Sequence, residues 1–283
     1  MKLFSWFRKP DADWREGHLF RVRTEGRGRD VVFVHGLAAS AECWDGALER
    51  LGSGVRVHLV QIRGFSGLAP PAGRRRGDFL RPLAAELASY IRERTAGDAA
   101  IVGHSMGGLA AMMTAIVEPD AVKQVLVADT PAFFSSLISP FLTPATALGL
   151  ADVARRRFMA ADADMYAEGL RRTCERLVTA PEMRERVAGW SLASDRMMVA
   201  DVMAEVMVTD LRTDLASMRA SLDVVYAHDG RAPVPRAVLD QTYLSSYARH
   251  PNCRRLRIDD ARHYLMLDQP QQFYGAVGDW LTR

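Results

Sequence analysis

Short apolar runs alternate with helical patterns along most of the chain. The run at residues 30–34, Asp-Val-Val-Phe-Val, is apolar after its first residue, as in a strand buried on both faces. Helical spacing is present at 81–94, where Leu83, Leu87 and Ile91 share one face. The pattern predicts strands at 19–24, 30–34, 55–61, 99–103, 122–128, 222–227 and 254–258, and helices at 81–94, 105–117 and 235–247. This alternation predicts an α/β fold with a mostly parallel central sheet flanked by helices.

The alternation stops between residues 131 and 218, where only helical patterns are present. We therefore predict a core domain formed by residues 1–130 and 219–283, interrupted by a helical cap at 131–218. An insertion at this point is expected to cover the carboxyl edge of the sheet, where open α/β sheets bind ligands. A last helix is expected to begin with Asp268 as its N-cap and Gln271 as the reciprocal partner.

Composition and charge argue against several classes of protein. The formal net charge of +3 over 283 residues gives no reason to expect a nucleic-acid partner. No stretch approaches the roughly 20 apolar residues of a membrane span, so stable membrane insertion is not expected, and the apolar stretch within residues 1–10 is too short for a signal peptide.

The odd set of Cys43, Cys174 and Cys253 matches no metal-site spacing and fits a reducing compartment. We expect a cytoplasmic protein, monomeric or homodimeric, in which the basic run at 74–76 is a solvated loop.

A G-x-S-x-G motif lies between a predicted strand and a predicted helix, with Ser105 at its centre. The chain must reverse within these residues, which forces the serine into a strained conformation and lifts its hydroxyl out of the sheet edge. Small residues at Gly103 and Gly107 avoid clashes around the turn. The following helix directs its dipole and its free N–H groups toward a developing oxyanion. The motif predicts Ser105 as a nucleophile and the Met106 N–H as one oxyanion donor.

The second oxyanion donor is expected from the loop that follows the strand at 30–34. This loop reads His35-Gly36-Leu37, and the Leu37 N–H is the candidate donor. The side chain of His35 is expected to brace the loop, because the base belongs at the far end of the chain.

A serine hydroxyl is a poor nucleophile without a neighbouring base. His263 follows the last predicted strand and precedes the last helix, so we expect it at the edge of the sheet that carries Ser105; His228 is the alternative. Asp229 and Asp129 both end predicted strands, and both satisfy the chain order Ser, Asp, His. We assign Asp229 as the orienting acid because its strand neighbours the one before His263, and keep Asp129 as the alternative.

The combination of His-Gly-Leu at 35–37, G-H-S-M-G-G at 103–108, a strand-end Asp and R-H-Y-L-M-L-D-Q-P at 262–270 resembles the α/β-hydrolase superfamily, in its lidded branch of esterases and related hydrolases. The resemblance covers nearly the whole chain after residue 18, and implies the α/β-hydrolase fold and a hydrolase reaction. Many relatives carry D-x-R-G-x-G-x-S after the third core strand. Gln61 stands here in place of the acid, which affects the bracing of that loop but not the triad.

We therefore predict a serine hydrolase that cleaves a carboxylic ester of moderate size, with an apolar acyl or alcohol part, through an acyl-enzyme and without metal or organic cofactor. The substrate pocket is expected to include Phe133, Phe134 and His104, with Phe141 nearby. One alternative is a C–C bond hydrolase, thioesterase, acyltransferase or cofactor-free haloperoxidase that uses the same triad. The other is a non-enzymatic ligand receptor on this scaffold, which the intact triad disfavours; turnover of model esters distinguishes these classes.

Overall fold

The computed structural model describes residues 13–95 and 97–283, so the amino-terminal stretch considered above lies outside the described residues. The strands in this part of the chain are β1 (Trp14–Glu16), β2 (Phe20–Gly26), β3 (Arg29–Val34), β4 (Val55–Ile62), β5 (Ala100–His104), β6 (Gln124–Ala128), β7 (Ser221–His228) and β8 (Arg254–Asp259). The α-helices are α1 (Ala47–Leu51), α2 (Leu80–Arg94), α3 (Met106–Val117), α4 (Pro144–Ala160), α5 (Ala163–Leu177), α6 (Pro181–Leu192), α7 (Arg196–Val208), α8 (Arg236–Ser246), α9 (Leu265–Asp268) and α10 (Pro270–Leu281). Short 3-10 helices occupy Ala41–Trp44, Phe134–Leu137 and Asp214–Ser217. The strands and helices predicted with bounds are confirmed to within two residues, and β1 is an addition.

The eight strands form one sheet in the order β1-β2-β4-β3-β5-β6-β7-β8. The first two pairs in this order, β1 with β2 and β2 with β4, are antiparallel, whereas the remaining five pairs are parallel. The carboxyl ends of β3 to β8 therefore meet at one edge of the sheet. The mostly parallel sheet predicted from the apolar runs is confirmed.

The alternation of side chains along β3 explains why residues 31–34 are all apolar. Val32 and Val34 belong to one core cluster, together with residues of α2 and α3. Val31 and Phe33 point to the opposite face and belong to a second cluster, which includes residues of α1 and α10. Helices thus cover both faces of the sheet, as the four consecutive apolar positions 31–34 require.

The segment between β6 and β7 contains α4 to α7 and no strand among its residues, all of which the structure describes. One face of α7 joins the core cluster of α2 and α3 through Met198, Val202 and Val206. These three side chains, spaced four residues apart on one side of the helix, therefore pack against the core. On the other face of the sheet, Trp190 of α6 joins the second cluster.

The predicted N-cap of the last helix is wrong. Helix α10 begins at Pro270 after Gln269, and no side chain caps its first turn. The carboxylate of Asp268 instead accepts hydrogen bonds from the N–H and hydroxyl of Thr179, at 2.9 and 2.8 Å, and from the Arg262 N–H at 2.8 Å. Asp268 therefore joins the segment between β6 and β7 to the loop after β8.

The basic run at 74–76 is expected to be a solvated loop, but two of its arginines form ion pairs with the inserted helices. Arg74 pairs with Asp201 of α7 at 2.7 Å, and Arg76 pairs with Asp152 of α4 at 2.9 Å. Each aspartate also pairs with an arginine of α4, Asp201 with Arg155 and Asp152 with Arg156. The run therefore fastens the loop before α2 to the inserted helices.

Candidate active site

Ser105 lies at the turn between β5 and α3 in a conformation that few residues other than glycine adopt, with φ 55° and ψ −123°. Such a conformation costs about 1–3 kcal/mol and persists only where the surroundings determine it. Two glycines make the turn possible, because a Cβ at Gly103 would collide with the Gly107 carbonyl and one at Gly107 would collide with the Val34 carbonyl. The strained serine and the small flanking residues expected from the motif are both present.

The two predicted oxyanion donors lie next to this turn. Met106 is the first residue of α3, so its N–H has no acceptor within the helix. Gly36, which precedes Leu37, lies so close to the turn that an added Cβ would be 3.0 Å from Ser105 Cβ. Neither the Leu37 nor the Met106 N–H donates to another group in the described chain. Both donors thus remain available for a substrate oxygen.

His35 and Gln61 brace the loop that carries Leu37. His35 is fully buried, and burial lowers its pKa to about 4, so the ring is neutral. Its Nδ1–H donates to the Gly36 carbonyl at 2.8 Å, and its Nε2 accepts from the Ile62 N–H at 3.0 Å. This agrees with the bracing role expected for His35.

Gln61 stands where many relatives have an aspartate, and its side-chain amide both accepts and donates hydrogen bonds. Its oxygen accepts from the Ala41 N–H at 2.9 Å and from the Ser40 hydroxyl at 3.2 Å. Its nitrogen donates to the carbonyls of Ile62 and Phe65, both at 3.2 Å. A carboxylate could make the first pair of bonds but not the second.

His263 pairs with Asp129, not with Asp229: its Nδ1 lies 2.8 Å from Asp129 Oδ2. The other oxygen of Asp129 accepts from the Ala227 N–H at 2.9 Å and from the Tyr243 hydroxyl at 3.1 Å. The backbone of Asp129 has a left-handed φ of 53°, and its N–H donates to the Val225 carbonyl at 2.8 Å. This conformation directs the carboxylate along the sheet edge toward His263 instead of capping the turn into the insertion.

Asp229 is held elsewhere, and its assignment as the partner of His263 is wrong. Its carboxylate pairs with Arg262 Nε at 2.7 Å and with Arg231 Nε at 3.2 Å, and it accepts from the Arg231 N–H at 3.0 Å. Burial alone would raise its pKa, but these donors outweigh burial and lower the pKa of Asp229 to about 2. Arg262 precedes His263 in the chain, and its ion pair with Asp229 was not apparent from the sequence.

His228, the alternative base, lies with its Nδ1 3.7 Å from Asp259. His263 is therefore the predicted candidate that pairs with a strand-end carboxylate at hydrogen-bond distance. Ser105 Oγ makes no hydrogen bond with any residue that the structure describes, His263 included. In ligand-free enzymes, this bond is often long and tightens only when substrate binds.

His104 is expected in the substrate pocket, but it is buried beside His263. Its ring lies 4.5 Å from the His263 ring and 4.8 Å from the Tyr264 ring. Burial, with the neighbouring His263, lowers its pKa well below the ordinary value, so the ring is neutral. The Nε2–H then donates to the His263 carbonyl at 2.9 Å. His104 therefore supports the backbone of His263, and its burial leaves it almost no accessible surface.

The aromatic residues at the start of the insertion differ in exposure. Phe133 is fully buried, with the Arg212 guanidinium 4.7 Å from its ring centre, so its assignment to the pocket wall is wrong. Phe134 is partly buried against the core, and Phe141 is 89% exposed. Among the predicted pocket residues, Phe134 thus has an intermediate exposure.

Hydrogen bonds join the insertion to three loops at the carboxyl edge of the sheet. They link Ser191 to Ala38 after β3, Asp195 to Gly64 after β4, and Leu177 to Tyr264 after β8, at 3.2, 2.8 and 3.0 Å. Ala38 follows the candidate donor Leu37, and Tyr264 follows His263. The inserted helices are thus attached directly beside both halves of the candidate site.

A strained serine between strand and helix, with free N–H donors beside it and a carboxylate-paired histidine at the same sheet edge, is the arrangement expected of α/β proteins with a Ser-His-Asp site. The model of the Alpha/beta hydrolase family matches residues 31–276, and the chain belongs to this family. Its α/β-hydrolase fold and its place among enzymes that hydrolyse esters are confirmed.

Two curated relatives match along nearly their whole length. The pimeloyl-[acyl-carrier protein] methyl ester esterase of Aeromonas hydrophila is 30% identical over an alignment of 277 positions that covers 90% of this chain and 96% of that protein. The esterase of the same name from Nitrosomonas europaea is 28% identical, covering 89% and 95%.

Solved structures share the fold at lower identity. A thermophilic esterase from Thermogutta terrifontis superposes with a TM-score of 0.72 at 21% identity, covering 93% of each chain. A bromoperoxidase from Bacillus anthracis superposes with a TM-score of 0.75 at 18% identity, covering 93% of this chain and 95% of its own.

No helix within the described residues is long and apolar enough to cross a membrane. The cytoplasmic location expected from the three cysteines stays a prediction, as does the monomeric or homodimeric state.

Proposed function

We propose that the protein is a serine esterase that works through an acyl-enzyme on Ser105. The observation that carries the proposal is the 2.8 Å contact between His263 and Asp129, at the sheet edge where the strained Ser105 also lies. The carboxylate holds the imidazole with Nδ1 protonated, which leaves Nε2 free to act as a base. The triad that we propose is Ser105, His263 and Asp129.

Each residue has a distinct role in the proposed mechanism. Ser105 Oγ attacks the ester carbonyl carbon while His263 Nε2 takes the hydroxyl proton. The N–H groups of Leu37 and Met106 stabilise the tetrahedral oxyanion. When the intermediate collapses, the imidazolium returns the proton to the leaving alcohol, and Asp129 stabilises that imidazolium. Water, activated by His263, then hydrolyses the acyl-enzyme and restores the free serine.

For the substrate, we propose an ester with an apolar acyl part and a small alcohol. The relatives that carry an esterase name act on the methyl ester of a carrier-bound acyl chain, which has this chemistry. We further propose that the inserted helices at 131–218 form the cap that selects the acyl chain. Their hydrogen bonds beside Leu37 and His263 support this role, and Phe134 is our candidate for contact with the acyl chain.

A panel of p-nitrophenyl esters with increasing acyl length, run beside labelling with a fluorophosphonate probe, tests the proposal. The wild-type protein should hydrolyse the esters and gain one phosphonyl group on Ser105, located by peptide mass spectrometry. Ser105→Ala should lose both, by several orders of magnitude in turnover.

Ser66→Ala is the matched control, since Ser66 also has a left-handed φ, of 50°, but belongs to the loop after β4. It should keep both activities. Labelling of Ser105→Ala at the wild-type rate would overturn the nucleophile assignment.

A further inference from the structure

The carboxylate of Asp129 is held by a phenol from a distant part of the chain. Tyr243 lies in α8 and is 1% exposed, and its hydroxyl is 3.1 Å from the Asp129 oxygen that does not contact His263. Burial, with the negative charge of Asp129 beside it, raises the pKa of Tyr243 well above its usual value. The phenol therefore keeps its proton and donates to the carboxylate.

Side chains of α8 and of the residue after it form hydrogen bonds with the turn that begins with Asp129. Tyr247, one helical turn after Tyr243, donates its hydroxyl to the Thr130 carbonyl. Ser246 Oγ accepts from the Ala132 N–H at 2.7 Å. Two side chains of α8 and that of Tyr247, the residue after the helix, thus bind residues 129–132. This set of bonds explains how the left-handed backbone of Asp129 is held, since a strained residue persists only where its neighbours determine it.

The Tyr243 ring is itself fixed by stacking. The ring of Tyr226 lies 4.2 Å from it at an interplanar angle of 14°. The Tyr226 hydroxyl serves a different carboxylate, donating to Asp240 at 2.8 Å. Two stacked phenols of similar burial therefore differ in whether they contact the candidate triad.

We propose that Tyr243 is a positioning residue for the ester hydrolysis, acting through Asp129. Its hydroxyl fixes the carboxylate so that Oδ2 faces His263, and it withdraws part of the negative charge from the pair. This proposal rests on the proposed function, because it assumes that Asp129 is the acid of the triad.

Several titratable side chains near the pair keep one charge state over the range of a pH–rate measurement. Burial keeps the phenols of Tyr243, Tyr247 and Tyr264 protonated by raising each pKa, and it keeps His104 neutral by lowering its pKa. The charge of Arg262 is directed to Asp229. The three phenols and His104 therefore do not contribute to the acid limb of a pH–rate profile.

The test compares Tyr243→Phe with Tyr226→Phe, which removes the neighbouring hydroxyl of the same stack. Tyr243→Phe should lower kcat about tenfold, the effect of losing a hydrogen bond to a charged group, and leave KM within about twofold because the residue does not touch substrate. The acid limb should move to higher pH, since a carboxylate without this donor holds the imidazolium more strongly. Tyr226→Phe should leave kcat and the acid limb unchanged.

Equal profiles for the two variants would overturn the proposal, as would a Tyr243→Phe variant that loses thermal stability but keeps wild-type kcat and acid limb. A double variant with Asp129→Asn separates this proposal from the proposed function. If Tyr243 acts through Asp129, the double variant should be no slower than Asp129→Asn alone. Additive losses would contradict the positioning role, whereas wild-type turnover in Asp129→Asn alone would contradict the triad.

Discussion

Asp129 and Asp229 end neighbouring strands, yet their carboxylates have different partners. Asp129 reaches His263 and is surrounded by neutral donors, whereas Asp229 lies between two guanidinium groups. A carboxylate that neutralises arginine is a poor partner for a developing imidazolium, since its charge is already compensated. Two residues of the same type at equivalent positions are therefore suited to different tasks.

The two aspartates should respond differently to the same isosteric substitution. Asp129→Asn should lower kcat by about 10⁴, because the amide favours the wrong imidazole tautomer. Asp229→Asn should keep kcat within about tenfold and act on stability instead. Steady-state kinetics of the two variants at one pH decides between them, and the reverse pattern would restore Asp229 as the acid.

Asp229 should also contribute to acid stability. Its pKa in the folded chain, about 2, is below the ordinary value of 3.8, so its contribution is fully present above pH about 4 and is lost as the pH falls toward 2. Thermal unfolding followed between pH 5 and 2 should show a shallower loss of stability in Asp229→Asn than in the wild type. Parallel curves would show that the Arg262 and Arg231 contacts do not stabilise the ionised carboxylate.

At the scale of elements, several loops are fixed by side chains that local sequence rules assign differently. Asp268 has the spacing of a helix N-cap, but its carboxylate binds Thr179 and the Arg262 N–H instead. Gln61 interrupts a familiar acidic motif, but its amide joins the loop after β3, which carries the candidate oxyanion donor Leu37, to the loop after β4. In both cases, some of the hydrogen bonds come from partners remote in sequence, Thr179 for Asp268 and Ala41 for Gln61.

The bracing by Gln61 can be tested by restoring an acid. Gln61→Glu should replace two donated bonds with repulsion between the new carboxylate and the carbonyls of Ile62 and Phe65. We expect a cost of about 1–3 kcal/mol, visible as a fall of several degrees in Tm, with reduced esterase activity. Gln272→Glu, in an exposed position of α10, is the control and should change Tm little. An unchanged Tm in Gln61→Glu would contradict this account.

At the scale of the whole molecule, ion pairs connect the insertion to the core. Asp201 and Asp152 each bridge an arginine of the loop before α2 and an arginine of α4. The two bridges differ in burial, because the side chain of Asp201 is 6% exposed and that of Asp152 is 38% exposed. Buried pairs are costly to break, whereas exposed pairs contribute little.

Asp201→Asn should therefore destabilise the chain by about 3 kcal/mol, while Asp152→Asn should stay within about 1 kcal/mol of wild type. If the insertion is the cap, Asp201→Asn should also change KM for long acyl esters more than kcat for the shortest one. Urea unfolding and the ester panel measure the two effects. Equal stabilities of the two variants would show that the bridges do not differ as their burial implies.

The sequence by itself determined the sheet, the strand–helix turn at Ser105 and the position of His263 after the last strand. These features depend on apolar periodicity, on glycine at close approaches and on chain order, all of which are local or topological. The partner of His263 was not determined in this way, because β6 and β7 are adjacent parallel strands whose ends reach the same edge. Only the tertiary structure decided between Asp129 and Asp229, by bringing Tyr243 to one carboxylate and Arg262 to the other from distant parts of the chain.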